Sequence, residues 1–308
     1  MNSYEGILPI HKPAGFTSHD VVAKCRGILK MKRIGHTGTL DPAVTGVLPL
    51  CLGRATRMVE YLQDLPKEYQ ATLVLGIATD TEDLSGTIIE EMENVVVSEE
   101  AVREILERFV GTISQIPPMY SALKQDGKRL YELAREGKTV ERKPREVTIY
   151  ELELTGFHPE DPHPRVSFRA LCSKGTYIRT LCVDIGRALG VPAAMTQLKR
   201  TMSAGIAEEN CLTLDEVSRR VADGSLQDCL LPVDKAVEHL PAHTVAEEKV
   251  KAALQGQRLS SKVIFPPASP GQTIRLYDPQ QHFLGIFQVE EATLAVKAVK
   301  VFLPDTTK

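Results

Sequence analysis

Helix starts that carry their own capping residues constrain the fold of this chain more than any other feature. Thr17 and Asp20 have the spacing of a capping box, and the apolar residues after them recur at helical spacing as far as Leu29. A second start lies at Ser98, where two glutamates follow that favour the N-terminus of a helix. A third capping box begins at Thr213. The sequence therefore predicts helices that begin at these three positions.

Strand patterns fill much of the sequence between these helices. Segments rich in strand-forming residues, several with alternating polarity, occur at Ile7–Ile10, Tyr69–Leu75, Val147–Leu154 and Val166–Leu171. A fourth helical pattern, Thr176–Leu189, is followed by Gly190 and Pro192, which are typical of a helix end. Strands interleaved with helices predict a mixed α+β domain.

A smaller unit is predicted at the C-terminal end. Pro232 and Pro241 break the chain after the last predicted helix, and short strand patterns follow at Thr273–Tyr277, Phe283–Val289 and Lys297–Phe302. We therefore place a domain boundary near 240–245. It separates a large α+β domain, residues 1–240, from a small, mostly β domain, residues 245–308.

The composition excludes several classes of protein. With 43% hydrophobic and 25% charged residues, the 308-residue chain resembles a globular protein rather than a fibrous or disordered one. Apolar runs stay well short of the roughly 18 residues of a membrane span. Glu5 and Pro9 interrupt what would be an export signal, so we expect a cytoplasmic protein. Six cysteines without C-x-x-C spacing predict core thiols rather than a zinc site.

The distribution of charge is uneven along the chain. The net charge of −3 argues mildly against a nucleic-acid partner. However, residues 1–60 carry 8 basic and 4 acidic side chains, residues 61–110 carry 3 and 12, and residues 111–205 carry 15 and 10. Such a pattern fits either solvated faces or two basic surfaces that flank an acidic one.

The least ordinary segment is 35–50, GHTGTLDPAVTGVLPL, which is dense in Gly, Thr and Pro. Its glycines allow close approach to a ligand, and Pro42 restricts Asp41 to extended conformations. We expect either a functional loop that presents the Asp41 carboxylate, or a plain turn in which this carboxylate binds nearby amides. The segment matches neither the phosphate-loop motif nor the dinucleotide-binding motif, so it predicts neither class of nucleotide-binding protein.

Four long blocks follow one another along the sequence: HKPAGFTSHDVV with GHTGTLDPAVTGVLPLCLGRATR, then KEYQATLVLGIATDTEDLSG, PPMYSALKQDGKRLYELAREG and SKGTYIRTLCVDIG. In this order they resemble the signature of the TruB family of tRNA pseudouridine synthases. Nearer the C-terminus, GQTIRLYD and FLGIFQVE resemble the PUA-like RNA-binding domain of bacterial members. The resemblance implies the pseudouridine synthase fold, in which helices flank a long mixed or antiparallel central sheet.

The resemblance also implies an activity. It implies an isomerase that flips the uridine at position 55 in the T loop of tRNA out of its stack and converts it to pseudouridine. The implied partner is tRNA, recognised through its T-arm stem-loop, with no obligate protein partner, no cofactor and no metal. Two alternatives stay open: a guide-RNA-dependent relative, and a tRNA-folding chaperone with the same fold.

Three residues match the family's catalytic positions. Asp41 matches the nucleophile, and an aspartate suits this role because its reference pKa of about 3.9 leaves it ionised without a partnering base. Arg179, in TYIRT, matches the arginine that orients this carboxylate. Tyr69, in KEYQA, matches a tyrosine that stacks on the flipped base and is a candidate for proton transfer. Whether the aspartate attacks the ribose C1′ or the uracil ring stays open.

Further matches predict contacts with the substrate. His36 matches a residue that packs into the T loop at the position that the flipped base leaves. Tyr177 matches a second tyrosine of the pocket, and Leu198 matches an apolar residue of the pocket. Lys12 and Pro13 match a pair near the active site whose role looks structural.

An RNA-gripping thumb is implied near residues 124–145. Basic side chains outnumber acidic ones there: Lys124, Lys128, Arg129, Arg135, Lys138, Arg142, Lys143 and Arg145 against Asp126, Glu132, Glu136 and Glu141. Such a segment is suited to following phosphates. We expect the acidic residues between 90 and 107 to face away from the cleft that contains Asp41.

Overall fold

The computed structural model describes residues 4–125, 127–159 and 162–302. Its α-helices are α1 (Ser18–Leu29), α2 (Val59–Asp64), α3 (Glu99–Arg108), α4 (Leu130–Arg135), α5 (Ile178–Leu189), α6 (Leu214–Ala222) and α7 (Val250–Leu254). The strands of the larger unit are β1 (Gly6–Lys12), β2 (Ile34–His36), β3 (Thr45–Leu52), β4 (Lys67–Leu75), β5 (Ile77–Thr79), β6 (Ile88–Glu91), β7 (Gly111–Gln115), β8 (Lys124–Gln125), β9 (Lys128–Arg129), β10 (Arg145–His158), β11 (Arg165–Cys172), β12 (Ala193–Ser203) and β13 (Ile206–Ala207). Those of the smaller unit are β14 (Ala242–Val245), β15 (Leu259–Ser260), β16 (Ile264–Phe265), β17 (Thr273–Tyr277), β18 (Phe283–Val289) and β19 (Ala295–Val301).

The predicted helix starts are confirmed. Thr17 and Thr213 each close a capping box, with Asp20 and Glu216 respectively, at the starts of α1 and α6. The Ser98 side chain accepts a hydrogen bond from the backbone N–H of Ala101 at the start of α3. These interactions satisfy N–H groups that the first turn of a helix otherwise leaves unpaired.

The larger unit is built on a long mixed sheet with the strand order β1-β3-β12-β4-β11-β10-β7. Every neighbouring pair in this order is antiparallel except β3 with β12, which run parallel. The predicted α+β fold with a long central sheet is confirmed. In this sheet β4 lies between β11 and β12, with Tyr69 in register with Ala170 on one side and Arg200 on the other.

Helices cover the apolar surfaces of this sheet. One core packs α3 and α5 against β4, β10 and β11, with Phe168, Leu181 and Ile185 fully buried. A second core packs α1 and α6 against β1 and β3. The predicted burial of cysteines is also borne out, since Cys25, Cys51, Cys172 and Cys182 are buried, Cys211 and Cys229 are half-buried, and all six are free thiols.

Segment 35–50 was expected to be a loop throughout. Only the part between β2 and β3 is a loop, so the expectation was wrong for the rest of the segment. Thr45–Leu52 is an inner strand of the large sheet, and all of its residues after Thr45 are buried. The apolar residues of VLPL lie between β1 and β12, so sheet pairing rather than a ligand accounts for them. The loop proper, residues 37–44, carries Asp41.

The smaller unit is a six-stranded sheet with the order β15-β19-β18-β17-β14-β16 and its own apolar core. It packs against the larger unit through Ile286 and Phe302, which join a core with Met58 and Leu62. Arg57 Nη1 also donates to the carbonyl of Val301 at 2.6 Å. The predicted boundary at 240–245 includes β14, which is the first strand of this sheet in chain order. No helix in the described ranges is long and apolar enough to span a membrane.

Candidate active site

The loop that carries Asp41 is fixed at several points. The hydroxyl of Ser18, in the first turn of α1, accepts a 2.9 Å hydrogen bond from the N–H of Leu40, and Gly15 N–H donates to the Pro42 carbonyl at 2.9 Å. Leu40 and Val44 are buried on either side of Asp41. Their burial leaves the Asp41 carboxylate projecting from a rigid turn, with 48% of its side chain exposed.

Arg179 meets this carboxylate from the first turn of α5. Its Nη2 lies 3.0 Å from Asp41 Oδ2, and only 8% of the arginine side chain is exposed. The same guanidinium donates to the carbonyl of Thr81 at 3.1 Å and to that of Tyr120 at 2.8 Å. A planar guanidinium held at two other points orients a carboxylate much better than a mobile cation does.

Tyr69 projects from β4 into the same region and is only 9% exposed. Burial raises the pKa of its phenol, and the positive charge of the Arg200 guanidinium acts in the opposite direction. The phenol is therefore neutral at pH 7. A neutral aromatic ring beside Asp41 and Arg179 suits stacking against a base.

Arg200 is a site residue that the sequence interpretation missed. It is 1% exposed, and its Nε donates to the Val47 carbonyl at 2.7 Å while Nη2 donates to the Gly38 carbonyl at 3.3 Å. Arg200 thus links the Asp41 loop to β3, and its positive charge acts on the Tyr69 phenol. It lies two positions after Leu198 in QLKR, but only the pairing of β12 with β4 reveals its place.

Lys67 is a second missed residue, two positions before Tyr69 on β4. It is 7% exposed, and its ammonium donates to the carbonyls of Gln63 and Leu65 at the end of α2. Burial lowers its pKa to about 8, with the positive charge of Arg200 acting in the same direction. Lys67 therefore changes charge close to physiological pH.

These side chains surround one cavity of about 270 Å³. Five of the predicted site residues line it: Asp41, Tyr69, Tyr177, Arg179 and Leu198. Thr37, Lys67, Ser121 and Arg200 contribute further polar groups to its wall. A cavity of this size, with a few polar groups on a partly apolar wall, is suited to a single pyrimidine ring.

Two further predicted residues, His36 and Lys12, do not line the cavity. The His36 ring meets His19 edge to face at 5.4 Å, and its Nδ1 accepts from the N–H of Gly38 at 3.3 Å. Burial lowers the pKa of His36, and the neighbouring His19 adds to this effect. Lys12 is fully buried, and its ammonium donates to the carbonyls of Pro13, Phe16 and Pro42. It holds the Asp41 loop in place rather than facing the cavity.

The segment expected to be the thumb is a short hairpin, β8 with β9, followed by α4 and an extended stretch into β10. The guanidinium groups of Arg129 and Arg135 both lie over the Tyr131 ring. Lys128 and Lys138 pair with Glu136. The side chains of Lys124, Lys143 and Arg145 are exposed, and Asp126 lies outside the described residues.

The acidic residues between 90 and 107 do not line this cavity. Neither the residues that line it nor those of the neighbouring groove of about 620 Å³ include an acidic side chain between 90 and 107. Asp83 is an acidic residue that does line the groove, together with Asp41. Among the residues that the structure describes, no group of three or more His, Cys, Asp or Glu side chains is arranged to hold a metal ion.

Comparison with protein families finds one family over almost the whole chain. Residues 26–178 match the family described as TruB family pseudouridylate synthase (N terminal domain). Residues 179–238 match the tRNA pseudouridylate synthase B C-terminal domain, and residues 241–299 match a family described as pseudouridine synthase II TruB, C-terminal.

Curated proteins and solved structures agree with these matches. The chain is 48% identical over 256 residues to tRNA pseudouridine synthase B of Oceanobacillus iheyensis, which covers 83% of this chain and 84% of that protein. It is 44% identical over 302 residues to the protein of the same name from Geobacillus thermodenitrificans, covering 97% and 99%. Among solved structures, a crystal structure of a Cbf5-Nop10-Gar1 complex has a chain that is 30% identical, with a TM-score of 0.76, covering 97% of this chain and 85% of that one. An H/ACA RNP bound to a substrate RNA containing 2′-deoxyuridine gives 28% identity and a TM-score of 0.74, covering 97% and 85%.

Proposed function

Because the chain belongs to the TruB family of pseudouridine synthases, we propose that it isomerises the uridine at position 55 in the T loop of tRNA to pseudouridine, with Asp41 as the nucleophile. The observation that carries this proposal is the contact of 3.0 Å between Asp41 and the buried Arg179 in the wall of a cavity that Tyr69 also lines. This arrangement supplies an oriented carboxylate beside a flat aromatic ring.

The chemistry of the isomerisation matches these groups. The bond between uracil N1 and ribose C1′ breaks, and a bond between uracil C5 and C1′ forms. The hydrogen on C5 leaves as a proton, and N1 takes up a proton, so that no net proton is gained or lost. Asp41 forms a transient covalent bond, either to C1′ or to the uracil ring, and is released unchanged at the end. Atoms balance without an oxidant, a reductant or a second substrate, so the reaction needs no cofactor.

Arg179 and Tyr69 have different roles in this proposal. Arg179 keeps the Asp41 carboxylate in one orientation through all the steps, because its guanidinium is fixed by the carbonyls of Thr81 and Tyr120. Tyr69 stacks on the flipped uracil, since burial raises the pKa of its phenol and leaves it a poor base at pH 7. Tyr177 and Leu198 enclose the ring on the remaining wall.

Binding of the T arm offsets the cost of flipping the base. Extrusion of a stacked nucleotide costs a few kcal/mol, and stacking on an aromatic side chain returns about 1–3 kcal/mol per base. The thumb, residues 124–145, and the β domain from about 245 add contacts to the RNA backbone. His36 lies at the end of β2, next to the loop that carries Asp41, where it can pack into the space that the flipped base vacates. Lys12 acts indirectly, by bracing this loop.

The proposal is tested with a T-arm stem-loop that carries tritium at C5 of the target uridine. Formation of pseudouridine releases this tritium to water, whereas simple binding does not. We expect release by the purified protein without any guide RNA or protein partner, and none from a matched stem-loop with the label on a stem uridine. Release that requires a guide RNA would favour a guide-dependent enzyme, and binding without release would favour a tRNA-folding chaperone.

A further inference from the structure

The cavity that contains Asp41 has more positive than negative side chains in its wall. Among the described residues that line it, Asp41 carries the only carboxylate, whereas Lys67, Lys174, Arg179 and Arg200 are cationic. Arg179 pairs with Asp41, and Lys174 is exposed and pairs with a surface aspartate. Two cations of the wall, Lys67 and Arg200, therefore remain without an anion.

Both of these cations are buried. Lys67 is 7% exposed and Arg200 is 1% exposed. In the described part of the chain their ammonium and guanidinium groups donate to backbone carbonyls, and neither group forms an ion pair. Buried cations are normally paired with an anion, because the loss of hydration is costly. Two such cations at one cavity point to negative charge on the molecule that the cavity binds.

The central sheet places both cations beside Tyr69. Lys67 lies two positions before Tyr69 on β4, so the two side chains are on the same face of the strand. Arg200 on β12 is directly in register with Tyr69, and residues in register on neighbouring strands also share a face. The ring that is proposed to stack on the target base is thus flanked by a cation on its own strand and by another on the next strand.

The proposed reaction moves negative charge from Asp41 to the uracil. If the carboxylate attacks C1′, it becomes an ester, and the electron pair of the broken N1–C1′ bond stays on the base. If it adds to C6, the electron pair of the C5–C6 double bond moves onto the carbonyl at C4. In both routes the uracil is an anion until C5 has bonded to C1′, the proton has left C5, and N1 has taken up a proton.

We infer that Lys67, with Arg200 beside it, stabilises the negative charge that uracil carries during the reaction. The inference rests on the proposed function and assigns a role to a residue for which the sequence interpretation predicted none. The bound uridine is neutral before the reaction, so this attraction lowers the barrier without strengthening binding. A charge acts at a distance in a site of low polarity, so Lys67 needs no contact with the base.

The charge of Lys67 can be removed by raising the pH. Burial lowers its pKa to about 8, and the positive charge of Arg200 acts in the same direction. The other titratable groups that act on Lys67 are those of Asp64 in α2, Cys172 in β11 and Lys174 in the segment before α5. Burial raises the pKa of Cys172 to about 11, so its thiol stays neutral up to pH 9. The charge of Lys67 should thus be almost complete at pH 6.5 and about one tenth at pH 9.

The test compares the wild type with Lys67→Met at these two pH values. Tritium release is measured in single turnover, with the protein in excess over the labelled T-arm stem-loop, and RNA binding is measured separately. At pH 6.5 we expect Lys67→Met to be slower by about 10- to 100-fold, with the dissociation constant for RNA unchanged. At pH 9 the ratio of the two rates should be about five- to tenfold smaller, because the wild type has then lost the same charge.

Taking the ratio removes every titration that the two proteins share, including that of the uridine itself. The control is Lys235→Met, at a lysine that is 56% exposed, pairs with Glu238 and does not line the cavity. This variant should match the wild type at both pH values.

A purely structural role for Lys67 has the opposite pH dependence. Loss of charge from a buried lysine stabilises the folded wild type, so the ratio of the rates would grow as the pH rises. A ratio that is constant or grows with pH would overturn the inference, and so would equal rates at pH 6.5 or slower release that weaker RNA binding explains. If Lys67→Met does not fold, the wild type alone provides the test, since its rate should fall about five- to tenfold from pH 6.5 to pH 9. A wild-type protein that releases no tritium at either pH would instead overturn the proposed function, and this inference with it.

Discussion

Arg179 and Asp41 form an asymmetric pair, in which a guanidinium that is 8% exposed holds a carboxylate that is 48% exposed at a distance of 3.0 Å. The arginine is tied to the protein by two backbone carbonyls, whereas the carboxylate faces the cavity. An isolated surface ion pair contributes about 0–1 kcal/mol to stability. The arrangement of this pair therefore points to orientation of a reactive group rather than to stabilisation of the fold.

The first prediction concerns the loss of this orientation. Arg179→Met should slow tritium release by about 10²–10³-fold, because a fixed charged donor beside the reacting group is removed. Arg179→Lys should lie between this variant and the wild type, since lysine keeps the charge but not the planar fork. The control is Arg187→Met on the same helix, whose side chain is 76% exposed and pairs with Asp184. Equal rates for Arg179→Met and the wild type would refute the orienting role.

The second prediction concerns the close approach of β12 to β3. A Cβ added at Gly46, where φ is +104°, would lie 2.1 Å from the carbonyl oxygen of Arg200. Gly46→Ala should therefore lower the free energy of unfolding by more than about 4 kcal/mol. Gly205→Ala is the control, because φ is +74° there but no atom lies within 4 Å of the added carbon. Gly205→Ala should lower the free energy of unfolding by only about 1–2 kcal/mol, the cost of backbone strain. Urea denaturation of both variants measures the difference, and similar losses would contradict the predicted clash.

These examples show which features of the fold can be predicted from sequence. The capping boxes at Thr17 and Thr213 are local, because the partner of each capping residue lies three positions away, and both helices begin where predicted. The pairing of β3 with β12 joins residues about 150 positions apart and has no local signal. For this reason the apolar half of segment 35–50 was mistaken for loop.

The same distinction applies to the site. Asp41, Tyr69 and Arg179 lie in sequence blocks that resemble one family, and the structure brings them around one cavity. Arg200 was missed because charged residues in a strand usually face solvent, and only its place next to β4 makes it buried.

The third prediction concerns the salt dependence of tRNA binding. Lys124 and Lys143 are exposed in the thumb, and each cation that neutralises a phosphate contributes about 0.7–0.9 to the slope of log affinity against log salt. The double variant Lys124→Gln with Lys143→Gln should therefore reduce this slope by about 1.4–1.8. Filter binding over a range of salt concentrations measures it. The double variant Arg103→Gln with Arg108→Gln, on helix α3, changes the net charge equally and should leave the slope unchanged. Equal slopes for the two double variants would exclude the thumb from the RNA interface.

The fourth prediction concerns the pH dependence of stability. Burial lowers the pKa of Lys67 from 10.5 to about 8, so between these values the unfolded chain binds a proton that the folded protein lacks. The contribution of Lys67 to the free energy of unfolding therefore rises as the pH increases from about 8 to 10.5. When the pH is raised from 7.5 to 9.5, the free energy of unfolding of the wild type should increase by about 1–2 kcal/mol more than that of Lys67→Met. Paired urea titrations at the two pH values measure this gain. A difference between the two proteins that is independent of pH would show that Lys67 keeps its ordinary pKa.

The most direct test of the account is the rate of tritium release by Asp41→Asn. This substitution keeps the size of the side chain and removes its charge and nucleophilicity. Asp215→Asn, at an exposed carboxylate in the first turn of α6, is the matched control. In single turnover with the labelled T-arm stem-loop, Asp41→Asn should be slower than the wild type by at least about 10⁴-fold while it binds the RNA with unchanged affinity. Release by Asp41→Asn at a rate comparable to that of Asp215→Asn would contradict the assignment of Asp41 as the nucleophile.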